Sequence, residues 1–153
     1  MKKSAGFTLI ELLVVVTIIA ILAAVVFVAL DPVTRFADAR NSRRWTDVNS
    51  ILTAVHQYIV DNDGTLPSGL STSMSVTQIG TANSGCNTSC TTASASACVN
   101  MNVTLARYLK TMPVDPDEGT QAETGYYIAV NNNNIVSVGS CNPENGETVE
   151  VSR

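Results

Sequence analysis

The stretch Leu12–Leu30, LLVVVTIIAILAAVVFVAL, is 19 residues of apolar sequence broken only by Thr17. At 1.5 Å rise per residue it makes about 28 Å of helix, close to the roughly 30 Å hydrocarbon core of a bilayer. Adding Phe7–Ile10 makes it long enough to span with some tilt. A secretory signal carries an apolar region of roughly 7–15 residues and then a small-residue cleavage site. This run is longer and leads instead into a charged helical pattern. A core helix apolar on every side needs a large protein around it, which 153 residues cannot supply. The stretch therefore predicts a membrane-spanning helix.

Outward from this run the charges are unevenly placed. The chain is 45% hydrophobic and 14% charged, with a formal net charge of −4, whereas an average soluble domain is about 25% charged. The deficit sits in two segments: Phe7–Leu30 holds one charge in 24 residues and Gly64–Ala106 none in 43. This balance excludes an acidic disordered chain. The negative net charge argues against binding through nucleic-acid phosphates, so no nucleic-acid partner is expected.

The single charge in Phe7–Leu30 is Glu11. An ionised carboxylate at mid-bilayer costs roughly 2.5–3.5 kcal/mol, less near the interface, and marks a functional candidate that needs a cation. Lys2 and Lys3 can reach it. If the chain is cut after Gly6, the new ammonium on Phe7 lies one helical turn from Glu11. In parallel helices staggered by one turn, Glu11 of one subunit would neutralise Phe7 of the next. Arg35, Arg40, Arg43 and Arg44 follow the span while Lys2 and Lys3 precede it, so charge alone leaves the topology undecided.

The residues Lys2-Lys3-Ser4-Ala5-Gly6-Phe7-Thr8-Leu9-Ile10-Glu11-Leu12-Leu13-Val14-Val15 resemble the class III signal of type IV pilins and type II secretion pseudopilins. That signature is a short basic leader, then Gly, Phe, Thr, two aliphatics, Glu and an apolar helix. The resemblance implies cleavage by prepilin peptidase between Gly6 and Phe7, N-methylation of Phe7, and an assembly role for Glu11. It implies insertion with the N-terminus in the cytoplasm and the head outside the inner membrane, followed by transfer to an extracellular or periplasmic filament. The implied partners are further copies of the chain in a homo-oligomeric filament, the peptidase/N-methyltransferase, an inner-membrane assembly platform, and membrane lipid before assembly. The implied fold class is α+β and pilin-like, a long N-terminal helical spine, transmembrane in its first half, packed against a small antiparallel sheet. The expected divisions are a leader at 1–6, a transmembrane and filament-core helix at 7–30, an amphipathic second half at 31–63, and a head at 64–153. Within the head, 64–98 is expected as polar loop and 126–151 as sheet.

Asp31-Pro32 interrupts the helical pattern, either as a kink or as a new helix with Asp31 as cap and Pro32 at its first position. Beyond it, Trp45, Val48, Leu52, Val55 and Ile59 recur at spacings of 3, 4, 3 and 4, one amphipathic face with Ile51 widening it. Asp61-Asn62-Asp63-Gly64 reads as a helix stop; a calcium loop with Gly64 at its sixth position would need Asp where Ile59 stands. His56, the one histidine, has no ligand-type residue at metal spacing and is expected as an ordinary helical residue.

Ser, Thr, Gly and Asn supply 19 of the 30 residues from 68 to 97, too polar a composition to bury a core of its own. Asn87-Thr88-Ser89 and Asn102-Val103-Thr104 match the glycosylation sequon, a pattern common by chance. Val99–Lys110 is expected as a short helix with Val103, Ala106 and Leu109 on one side. Tyr126–Val130 and Ile135–Val138 read as a hairpin, with a third strand at Thr148–Val151. Tyr108–Pro116 with Gly125-Tyr126-Tyr127 resembles the "YL…P.DP…YY" passage of the same family. The calcium-site continuation of the secretion pseudopilins is missing, so no metal is expected. Asp115, Asp117 and Glu118 are expected as a solvated acidic turn.

Cys86, Cys90, Cys98 and Cys141 all lie in the segment expected to be exported, and an even count there predicts two disulfides. Of three connectivities, Cys86–Cys90 with Cys98–Cys141 is the pairing expected; the intervals fit no common zinc site. No phosphate-binding glycine loop, nucleophile elbow or metal-ligand cluster is present, so neither an enzyme nor a cofactor is expected. The expected function is a structural subunit of a type IV pilus-like filament. A type II secretion pseudopilin and a minor pilin with an adhesive or DNA-uptake role are the alternatives. Removal of the leader would leave seven basic against thirteen acidic side chains, a net charge of −6.

Overall fold

A computed structural model describes residues 6–84, 86 and 97–153. The chain divides into two units, Met1–Phe36 and Ala37–Arg153. In the first, helix α1 (Leu9–Leu30) follows Thr8 and stops at Asp31, whose backbone turns left-handed at φ 36° and ψ 71°. Pro32 then opens helix α2 (Pro32–Asp61) at the first position, where a missing N–H removes no hydrogen bond. Asp31 stands at the cap: its Oδ2 accepts from the Thr34 hydroxyl at 2.6 Å and its carbonyl from the Arg35 N–H at 3.3 Å. Of the two readings left open at Pro32, the new helix is the one that forms.

In the second unit α2 ends at the expected stop. The Gly64 N–H reaches back to the Ile59 carbonyl at 2.8 Å, and Gly64 takes the left-handed φ of 83° that suits a residue without Cβ. The sheet is antiparallel, in the order β1 (Met74–Gln78), β2 (Tyr126–Val130), β3 (Val136–Ser140), β4 (Glu150–Ser152). Strands β2 and β3 form the expected hairpin, in register from Tyr126 opposite Ser140 to Val130 opposite Val136. The Asn131 side chain closes its turn by accepting from the N–H groups of Asn133 and Ile135. The turn into β4 has Asn145 and Gly146 both at positive φ.

Two expectations need correction. The sheet has four strands rather than three, because Met74–Gln78, inside the expected polar loop, pairs with β2. Its register slips by one residue between Met74 and Thr77, a bulge that breaks the alternation by which a strand is recognised. Val99–Lys110 is not a helix. It is a run of turns mixing i→i+3 and i→i+4 bonds, in which Met101 and Leu105 are buried while Val103 is 86% exposed.

The core joins Val48, Ile51, Leu52, Ala54 and Val55 of α2 to Tyr126, Ile128 and Val130 of β2 and Val136 and Val138 of β3. Ile79, Val99, Met101, Leu105, Met112 and Val149 complete it. Burying each large aliphatic here contributes about 1.5–3 kcal/mol. On the other side of the sheet, Gly139 lies opposite Tyr127, and a Cβ there would run into the Tyr127 ring. That ring passes over the glycine so that its hydroxyl donates to Glu150 Oε2 at 2.5 Å.

Candidate functional site

At the N-terminal end, Gly6, Phe7 and Thr8 are irregular and exposed, and helix begins only at Leu9. The Gly6–Phe7 bond therefore stands exposed just outside the helix. Thr8 Oγ1 accepts from the Glu11 backbone N–H at 3.3 Å. Thr8-Leu9-Ile10-Glu11 thus has the spacing of a capping box, which sequence reasoning missed although the residues show it. The Glu11 carboxylate sits in the first turn, where the helix dipole favours an anion. It has no hydrogen-bond or ion-pair partner among the described residues.

Every residue of α1 is exposed in the single chain, including Leu9 at 82% and Val28 at 80%. Its one interior hydroxyl, Thr17, donates to the Leu13 carbonyl at 2.8 Å, so that hydroxyl is not left open to hydrocarbon. The helical stretch starting at Leu9 is long and apolar enough to cross a membrane. Such a surface is unstable in water and needs lipid or like helices around it.

Within the second unit, charges tie α2 to the segments carrying Asp115 and Glu144. Arg44 is 1% exposed and bidentate on Asp115, with Nε to Oδ2 at 2.6 Å and Nη2 to Oδ1 at 2.9 Å. Its Nη1 donates to Glu144 Oε2 at 2.6 Å and to Asn41 Oδ1 at 2.9 Å. Arg40 forks onto the same carboxylate, its Nε to Glu144 Oε2 at 2.7 Å. The Asn41 amide pairs with the Glu144 backbone, donating to its carbonyl at 2.9 Å and accepting its N–H at 3.1 Å. Hydrogen bonds from Arg40 and then Arg44 pull the Glu144 carboxyl down to about 2, and the bond to Asp115 holds Arg44 charged. Burial, with the hydroxyl's bond to Asp47 Oδ2 at 2.7 Å, raises Tyr126.

This cluster corrects two readings. Asp115 is neither solvated nor a cation ligand, since Arg44 occupies both its oxygens. The buried face of α2 is Ala37, Asn41, Arg44, Val48, Ile51, Leu52, Ala54 and Val55, leaving Trp45 38% exposed. Of the expected stripe, Val48, Ile51, Leu52 and Val55 are buried and Ile59 packs against the core. Only Trp45 falls outside it, with Arg44 in its place, because an arginine reads as surface until its carboxylate partners are known. His56 is partly buried on α2, its Nε2 without a partner among the described residues.

Cys86 is bonded to Cys98, with Cα atoms 5.1 Å apart, which overturns the expected Cys86–Cys90 and Cys98–Cys141 pairs. Cys98 N–H donates to the Ala82 carbonyl at 3.0 Å, and Val99 pairs with Ile79 in a parallel bridge, which sets Cys98 near Cys86. Cys141 is also disulfide-bonded. Cys90 and the sequon at Asn87 lie outside the described residues, as do Lys2 and Lys3.

Residues 1–27 match the family described as the prokaryotic N-terminal methylation motif, the class III prepilin signal. No curated protein and no solved structure matches the chain.

Proposed function

We propose that the chain is a structural subunit of a type IV pilus-like filament. The carrying observation is a methylation motif running directly into a helix that is apolar and exposed on every side. Prepilin peptidase removes 1–6 at the Gly6–Phe7 bond, and Phe7 becomes the methylated N-terminus. The 7–30 helix anchors the subunit in the inner membrane with the head outside. On assembly it exchanges lipid for neighbouring helices, the Phe7 ammonium of one subunit neutralising Glu11 of the next. That pairing supplies the cation the free carboxylate lacks and fixes a stagger of one turn. Membrane retention, an assembly platform and homo-oligomeric packing are the roles this implies; the chain itself carries structure rather than catalysis.

The test is the mass and N-terminal sequence of the protein purified from membranes of a host with prepilin peptidase. The reading requires Phe7 as first residue, with a methyl on its nitrogen, and loss of processing in Gly6→Leu. An N-terminus that still begins at Met1 contradicts it.

A further inference from the structure

Among the described residues of the first unit, the exposed apolar surface carries two charges besides Glu11, Asp31 and Arg35, at its far end. They lie between apolar side chains that are themselves open: Leu30 is 61% exposed, Val33 75% and Phe36 66%. Acid before base at i,i+4 is the order that favours a pair within one helix. The chain does not make that pair. Asp31, left-handed at the helix break, gives its Oδ2 to Thr34, and no ion pair joins it to Arg35. Arg35 is exposed and has no side-chain partner among the described residues.

Packing such a surface against like surfaces withdraws both charges from water, and each then needs an opposite charge. The spacing supplies one. A neighbour displaced by four residues, about 6 Å along a helix, sets its Phe7 level with Glu11. The same displacement sets its Asp31 level with Arg35, since 7 to 11 and 31 to 35 are equal steps in the same direction. The second step is one closed turn, Arg35 N–H to Asp31 C=O at 3.3 Å, and the first runs from Phe7, just before the helix, to Glu11 in its first turn.

We propose that Asp31 of one subunit pairs with Arg35 of its neighbour, so that one stagger closes ion pairs at both ends of the apolar contact. The partner is a second copy of this chain, and the proposal rests on the filament reading above. The left-handed turn at Asp31 has a role here, keeping that carboxylate off its own Arg35.

The experiment compares sheared-filament yield and membrane-fraction protein for the full-length wild type, D31R, R35D and D31R/R35D. Both single variants should process normally and stay in the membrane, with filament yield down about tenfold or more, the effect of leaving a desolvated charge unpaired. The double variant restores the pair with its polarity reversed and should recover most of the yield. Normal filaments from D31R or R35D would overturn the proposal while leaving the filament reading intact, as would a double variant no better than the singles. If R35D instead leaves the membrane fraction, Arg35 binds lipid headgroups and the interchain pair is wrong. Processed wild-type protein without filaments would sink both readings together.

Discussion

Arg44 and Asp115, 71 residues apart in sequence, meet fork to fork inside the second unit, with contacts of 2.6 and 2.9 Å. Their side chains are 1% and 3% exposed. A buried pair of this kind adds little over a well-packed apolar pair, but removing one partner strands the other charge. What the contact contributes is placement: it ties the Asp115 turn to α2, and Glu144 joins through the same guanidinium.

Arg44→Met should therefore destabilise the second unit by about 3–5 kcal/mol, because Asp115 stays buried and unpaired. Urea unfolding of the full chain in micelles, followed through Trp45, the single tryptophan, measures it. The Arg44→Met/Asp115→Leu double should recover most of the loss. A double as unstable as the single would mean that packing, not charge, holds this site.

Glu144 gives the stability an acid limb. Its folded value, about 2, lies below the ordinary 4.5, so its contribution is complete above about pH 4.5 and fades as the pH falls towards 2. The urea midpoint of the wild type should fall over that window, and Glu144→Gln should fall less steeply. Parallel pH profiles for the two would contradict the assignment.

Much of this was legible in the residues, and the failures share a cause. The Leu12–Leu30 run, the stop at Asp61–Gly64 and the hairpin around Asn131–Asn134 are local patterns, and each stands where its pattern placed it. The burial of Arg44 was not legible because it depends on Asp115 and Glu144, both far along the chain. Strand β1 was missed because it is a short edge strand inside a polar segment, and its bulge breaks the burial alternation after Val76. The cysteine pairing depended on the bond from Cys98 to Ala82 and the bridge of Val99 to Ile79, contacts no spacing encodes.

The Cys86–Cys98 bond closes 12 residues, which stabilises by about 3 kcal/mol in the chain-entropy account. Non-reducing proteolysis with mass spectrometry should recover Cys86 linked to Cys98. A peptide linking Cys86 to Cys90 would contradict the pairing.

Gly139→Ala should displace the Tyr127 ring and break its bond to Glu150, costing about 1–3 kcal/mol. Adding Tyr127→Ala should remove the clash, so the double should lose less than the two singles together. Strict additivity in the unfolding free energies would show that the ring does not cover the glycine.

The central claim is that α1 assembles by pairing Glu11 with a neighbour's processed N-terminus. Electron microscopy of sheared filaments from Glu11→Ala, with subunit in the membrane fraction as reference, tests it most directly. The account predicts processed subunit retained in the membrane at wild-type level and no filaments. Normal filaments from that variant would contradict it.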